Sequence, residues 1–335
     1  IKDTKNPVLI DRYLGGRELE VDAICDGTDV LIPGIMEHLE RAGVHSGDSI
    51  SIYPPQNVPQ HIIDKIVDVT YRIALELKVI GMINIQFIEF RDELYIIEVN
   101  PRSSRTVPYI TKVTNVPVID IATNIMLGKT LKEMGYSTGI APQTNTVAIK
   151  VPVFSTEKLP QVEVSLGPEM RSTGEVLGLA QSVGEAYFKA QEATKSPLPL
   201  SGTVLISVGD REKAEVAEVA KRFHEAGFAI VATKHTKAII EESGIPAEFV
   251  YKMSEGRPNI YDIITNGKVD LVVNTPKGEE EGPDDSYVRR ACIKSRVPYI
   301  TTMAAALASA EGILTVQKQS SREVVSLQDL HARIK

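Results

Sequence analysis

Apolar and polar residues alternate with a period of two along RELEVDAICDG, residues 17–27. That predicts a strand with Leu19, Val21 and Ala23 on one face and Glu18, Glu20 and Asp22 on the other. NPVLIDRY before it is strand-like, and VLIPGIME after it predicts a second strand. The loop RAGVHSGDS follows, then PPQNVP, whose prolines postpone a helix to about residue 60. In HIIDKIVDVTYRIALELKV the apolar positions Ile63, Ile66, Val67, Ile73, Ala74 and Leu77 recur at helical spacing. GMINIQFIEF and ELYIIEVN are apolar strands joined by a short polar turn around Arg91 and Asp92, a hairpin signal. Residues 115–135 read as helical, 140–154 as a strand, GPEMRSTGE as a polar loop and 180–193 as a helix. TKSPLPLSG then marks a domain boundary, giving segments 1–195 and 196–335. Beyond residue 202, strands TVLISV, AIVAT, FVYKM, VDLVVNTP and PYITT alternate with helical segments. The expected fold is therefore mixed: α+β first, then α/β with a doubly wound parallel sheet. Such a sheet places ligands at the carboxyl ends of its strands, near a switch in strand order.

IIEVNPRSSRT, residues 96–106, breaks the apolar pattern with chemistry. Glu98 and Asn100 are two apart on a strand and share a face. A three-residue turn, Arg91 to Glu93, sets Gln86 opposite Glu98, whereas a two-residue turn turns it away. Carboxylate and amide oxygens on one strand pair suit Mg²⁺, and Arg102 and Arg105 beyond Pro101 suit phosphate oxygens. Metal and arginines together serve phosphoryl transfer, which needs charge neutralisation and alignment. The competing reading is a surface salt bridge between Glu98 and Arg102 or Arg105, worth roughly 0–1 kcal/mol. Ile96, Ile97 and Val99 favour the metal by suggesting a mostly buried strand, where an unpaired carboxylate is costly. The acids Glu18, Glu20 and Asp22 read most simply as a solvated edge face. His45 either caps backbone groups or meets a ligand, and His38 and Glu40 fall on a helix-like turn.

Composition narrows the classes. A net charge of −7 argues against a general nucleic-acid or anionic-membrane binder. No apolar run approaches the roughly 20 residues of a membrane span. Two distant cysteines, Cys25 and Cys292, offer neither zinc spacing nor a disulfide framework and suit a reduced, cytoplasmic compartment. Walker A, HExxH and nucleophile-elbow patterns are absent.

PGIMEHLERAGVHSGDS, NIQF, IIEVNPRSSRTVPYITK and GPEMRSTGEVLG together resemble the carbamoyl phosphate synthetase large-subunit family. The likeness is to its second synthetase half, an ATP-grasp fold that phosphorylates carbamate. EGRPNIYDIITNGKVDLVVNTP resembles the methylglyoxal-synthase-like allosteric domain that follows that half. The resemblance implies that Gln86, Glu98 and Asn100 hold two Mg²⁺ or Mn²⁺ ions with ATP, Glu98 bridging, and it allows K⁺ as a further ion. It implies that Arg102 and Arg105 contact phosphate or carbamate, Glu18 the ribose, and His45 the nucleotide. Lys213, Thr233, Thr236, Lys252 and Asn274 match positions that hold a nucleotide effector such as UMP or IMP. His235 and Pro276 depart from the effector pattern, and Ile149 stands where the ornithine site, with Glu40, Asp48 and Thr301, has a glutamate. The implied partners are a glutamine amidotransferase small subunit and the N-terminal half of the large subunit, in a hetero-oligomer. With no initiating Met and no second ATP-grasp lobe, the chain is expected to be part of something longer. By itself it is then either part of a ligase or a binding and regulatory module without turnover.

Overall fold

The computed structural model describes residues 10–143, 145–155, 166–194, 196–275, 283–319 and 325–332. Residues 6–9 of the expected NPVLIDRY strand lie outside them, and residues 10–15 form no strand. The first strands are β1 (Arg17–Cys25), β2 (Val30–Ile32), β3 (Ile35–His38) and β4 (Ser51–Tyr53). Helix α1 (Gln60–Glu76) begins where the proline run ends, and the hairpin β5 (Gly81–Phe90) and β6 (Glu93–Asn100) follows. Then come α2 (Val107–Thr114), α3 (Val118–Met126), β7 (Gly139–Ile140), β8 (Val147–Val153), β9 (Gly174–Ala180) and α4 (Val183–Glu192). These strands form one nine-stranded sheet along β6-β5-β1-β3-β4-β8-β9, with β2 beside β1 and β7 beside β2.

VLIPGIME is two strands, not one. Pro33 has no N–H for the ladder, and a Cβ on Gly34 would stand 2.3 Å from the Tyr53 ring. The partner strand divides accordingly: Leu19 to Val21 pair with β3, and Ile24 and Cys25 with β2. The helix expected through residue 135 stops at Met126, just before Gly128 at φ 97°. Strand β9, which carries two glycines that weaken a strand pattern, was not expected and pairs with β8 along its whole length.

Leu19, Val21, Ala23 and Cys25 pack under α1 against Ile62, Ile63, Ile66 and Ala74. The acids of β1 therefore lie on the face turned away from α1.

The second sheet holds β10 (Thr203–Ser207), β11 (Ala229–Thr233), β12 (Glu248–Val250), β13 (Leu271–Asn274) and β14 (Tyr299–Ile300). All its pairs are parallel, in the order β12-β11-β10-β13-β14. Its helices are α5 (Val216–Glu225), α6 (Lys234–Glu242), α7 (Ile260–Thr265), α8 (Pro283–Ser295) and α9 (Met303–Lys318), with α10 (Leu327–His331) at the end. The expected doubly wound sheet is present, and its order reverses between β10 and β13. One hydrophobic core runs from Ile52 and Ile149 under the first sheet, through α4 and α9, to Val204 and Val273 in the second.

Candidate functional site

The β5–β6 hairpin turns on two residues, Arg91 at φ 55° and Asp92 at φ 66°, both left-handed. From Phe90 opposite Glu93 the ladder steps to Phe87 opposite Ile96, and then Gln86 stands opposite Glu98. Ile97 is the extra residue of a bulge. The expected Gln86–Glu98 pairing is there, but a two-residue turn plus a bulge produces it, not a three-residue turn. The bulge returns Glu98 and Asn100 to the face that Gln86 and Asn84 share. Across three strands this makes two polar rows, Glu20–Gln86–Glu98 and Asp22–Asn84–Asn100.

Strand β6 is the edge of the sheet, and it is exposed where a buried strand was expected. Ile96 is 48% and Ile97 44% exposed, and Glu98 is exposed too. Glu98 therefore carries no burial cost for a metal to relieve. The salt-bridge alternative fails, since among the described residues neither Arg102 nor Arg105 pairs with Glu98. Asn100 Nδ2 donates to Glu98 Oε1 at 2.8 Å, and Gln86 Nε2 donates to Ser46 Oγ at 3.4 Å. The carbonyl oxygens of both amides and the second oxygen of Glu98 take no hydrogen bond among the described residues. Arg102 and Arg105 are exposed on the loop before α2, where Arg102 Nη1 donates to Ser103 O at 2.9 Å.

The acids of β1 are a buried polar centre, not a solvated edge. Glu20 is 1% and Asp22 0% exposed, because β1 lies between β3 and β5. His38 is the last residue of β3, not part of a helical turn. Its Nδ1 donates to Glu18 Oε2 at 3.3 Å and its Nε2 to Glu20 Oε2 at 3.1 Å. Burial works against charge on His38, but the two carboxylates outweigh it and raise its pKa to about 9. Burial likewise opposes charge on Glu20, and His38 and Asn84 overcome it, so its pKa is lowered. Among the described residues Asp22 has no cation partner. Burial and then the charge of Glu20 push it up to about 6, against hydrogen bonds from Thr106, Ser104 and Asn84. Glu18 also accepts from Gly43 N at 2.8 Å, so both its oxygens are engaged.

His45 caps the turn after it, its Nδ1 accepting from Gly47 N at 3.0 Å. That leaves the proton on Nε2. The carbonyl of Ser46 accepts from Lys150 Nζ at 2.9 Å. Lys150, on β8, is buried, and desolvation lowers its pKa against the pull of Glu20, Glu175, Glu40 and Asp48. Lys150, Asn84, Ser104 and Thr106 are members of this centre that the sequence pattern did not single out. A lysine inside the apolar run VAIKVPV was the available signal.

Asp48 ties the two loop motifs together, accepting from Arg171 N at 2.7 Å and Ser172 N at 2.8 Å. It also lines a cavity of about 240 Å³ between the sheets with Glu40 and Thr301. Burial pushes Glu40 up to about 7. Val151, not Ile149, faces this cavity, and Ile149 is fully buried in the core.

In the second sheet Thr233 ends β11 and its hydroxyl donates to Thr236 Oγ1 at 3.3 Å, which accepts from Val208 N at 3.3 Å. Asn274, at the end of β13, donates to Asp285 at 2.9 Å and Tyr299 OH at 3.0 Å. Lys213 follows β10 and pairs with Asp210. These residues flank the β10–β13 switch, whereas Lys252 follows β12 at the sheet edge. Pro276 lies outside the described residues.

Residues 3–134 match the family "Carbamoyl-phosphate synthase L chain, ATP binding domain", and residues 215–301 match "MGS-like domain". The "Carbamoyl phosphate synthase large chain" of Clostridium botulinum (strain Kyoto / Type A2) is 55% identical over 304 residues, 90% of this chain and 28% of that one. That of Clostridium perfringens (strain 13 / Type A) is 54% identical over the same shares. A solved "Biotin Carboxylase domain of single-chain bacterial carboxylase" covers 55% of this chain and 47% of its own at 17% identity with a TM-score of 0.44, too loose a match to carry weight. Over 90% of its length the chain is similar to carbamoyl phosphate synthase large chains, with one segment matching their ATP-binding domain and another the MGS-like domain, and it spans 28% of the length of these relatives.

Proposed function

We propose that the chain is the second synthetase half and effector domain of a carbamoyl phosphate synthase large chain. Residues 1–195 are part of an ATP-grasp unit and residues 196–335 the allosteric domain. In the complete enzyme the reaction is ATP + carbamate → carbamoyl phosphate + ADP, feeding pyrimidine and arginine synthesis in the cytoplasm. Ammonia comes from a glutamine amidotransferase small subunit, and carbamate from the N-terminal half of the large subunit.

The observation that carries this reading is the double row Glu20–Gln86–Glu98 and Asp22–Asn84–Asn100, with two exposed arginines on the next loop. Its outer members present only oxygen to an incoming ion, a donor set that suits Mg²⁺ or Mn²⁺ bound with ATP. Bound there, the divalent ions supply neutralisation of the phosphate charge. The chain does the rest: Gln86, Glu98 and Asn100 fix where the phosphates lie, and Arg102 and Arg105 take phosphoryl or carbamate oxygens in a bidentate grip. The carbamate oxygen attacks the γ-phosphorus as its bond to the β-phosphate oxygen breaks, and ADP leaves. An anion at the β10–β13 switch, held near Lys213, Thr233 and Asn274, is the nucleotide effector.

The test is ATP formation from ADP and carbamoyl phosphate by the full-length enzyme. Glu98→Gln keeps the shape and removes the charge. Its rate is expected to fall by at least the roughly 10–100-fold that loss of a metal ligand's supporting partner costs. Asn100→Asp is expected to shift the Mg²⁺ dependence. Unchanged rates in both variants would remove the basis for the metal assignment.

A further inference from the structure

The loop carrying Arg102 and Arg105 is fastened to the sheet through a buried carboxylate. Asp22 Oδ2 accepts from Ser104 Oγ at 2.8 Å and from Thr106 Oγ1 at 2.6 Å. Its Oδ1 accepts from Asn84 Nδ2 at 3.0 Å. The two hydroxyls lie 2.7 Å apart, and Ser104 Oγ also accepts the Thr106 N–H at 3.1 Å. Thr106 Oγ1 reaches Glu20 Oε1 as well, at 3.3 Å. Among the described residues the other bonds of residues 101–105 are local: Arg102 N to Asn100 O, Arg102 Nη1 to Ser103 O and Ser103 Oγ to Ser104 O. Ser104 and Thr106 are the immediate neighbours of Arg105 on either side. Arg105 itself is exposed and takes no partner among the described residues.

We propose that Asp22 is a positioning residue for Arg105, acting through the hydroxyls of Ser104 and Thr106 to aim the guanidinium at the transferring phosphoryl group. This rests on the proposed function of Arg105. An arginine fork holds phosphate well only when its backbone is fixed, and a misplacement of about 1 Å can cost about 100-fold in rate. A carboxylate this deep needs several donors, and two of its three come from the arginine loop rather than from the sheet. The geometry fixes the residues on both sides of Arg105 and leaves its side chain open to a ligand.

A mutant cycle in the full-length enzyme, in complex with its small subunit and making ATP from ADP and carbamoyl phosphate, tests this. Ser104→Ala with Thr106→Val is expected to raise KM for carbamoyl phosphate about tenfold while KM for ADP stays within about twofold. Thr106→Ser, which keeps the donor, holds the parent values. Combined with Arg105→Ala, the hydroxyl changes are expected to add nothing further, because they act through that side chain. Effects that multiply, or KM values for both substrates rising together, would overturn the assignment and leave a structural bond. If the double variant does not fold, Thr106→Val alone gives the same shift in smaller measure, and no shift there also overturns it. An Arg105→Ala enzyme with unaltered KM for carbamoyl phosphate overturns this inference together with the proposed role of Arg105. Failure of the hydroxyl variants alone overturns only the positioning.

Discussion

Replacing His38 with leucine is expected to remove about 3–5 kcal/mol of folding stability, measured as a shift of the urea midpoint of the chain. His38 touches Glu18 and Glu20 at once, and all three side chains are buried. Leucine fills the space but leaves two carboxylates without their cation. Its apolar contacts return about 1.5–3 kcal/mol at most, and the desolvated charges outweigh them. Combining His38→Leu with Glu18→Met and Glu20→Leu removes the charges too and is expected to recover most of the loss. A single-variant loss below about 1 kcal/mol would mean that the ion pair behaves as an exposed one, and the assigned charges would then be wrong.

The same substitution changes the pH profile. In the folded chain His38 holds its proton to about 9, above the 6.5 of a free histidine. Its stabilisation is therefore complete below about 6.5 and lost as pH rises through about 9. Asp22 and Glu40, raised to about 6 and about 7, have the same sign over lower windows, each losing its contribution as pH climbs through its folded value. The native state thus binds more protons than the unfolded chain between about pH 5 and 9, and stability falls across that range. Lys150, lowered from 10.5, pulls the other way toward alkaline pH. Glu20, lowered from 4.5, loses its contribution only in acid. In His38→Leu combined with Glu18→Met and Glu20→Leu, which leaves no unpaired acid behind, the part of the slope between about 6.5 and 9 is expected to vanish. A variant that keeps it would place the titration elsewhere.

What the sequence made legible was local. Helix α1 follows from apolar spacing after a proline run, and the parallel sheet follows from strands alternating with helices. The shared face of Glu98 and Asn100 needed only a period of two. Register needed more: the Gln86–Glu98 pair depends on a bulge at Ile97, and no residue type there announces one. The burial of Glu20 and Asp22 was hidden for a different reason. Alternating acids look solvated until their partners are known, and those are His38 on the neighbouring strand and Ser104 and Thr106 more than 80 positions away. The exposure of β6 reversed an inference from apolar composition, because Ile96 and Ile97 lie at the sheet edge, uncovered among the described residues.

Gly312→Ala is expected to destabilise the junction between the two sheets by about 1–3 kcal/mol, read as a lower thermal midpoint and faster proteolysis within residues 196–202. A Cβ on Gly312 would stand 2.3 Å from the carbonyl oxygen of Gly184, and one on Gly184 would stand 2.7 Å from the Gly312 amide nitrogen. Both obstacles are backbone, so neither can swing aside as a side chain could. Alanine in a helix gains about 1 kcal/mol over glycine, and on an open helix face that term would decide the sign. Here α4 and α9 must move apart instead, and Tyr187 and Phe188 on one helix and Ile313 and Val316 on the other share the core that separates with them. Dispersion falls off steeply with distance, so a gap of even half an ångström forfeits about a quarter of each contact. Spread over that core, the loss exceeds the helical gain. A raised midpoint would show that the helices yield without cost, and that the close glycine crossing does not hold the two sheets together.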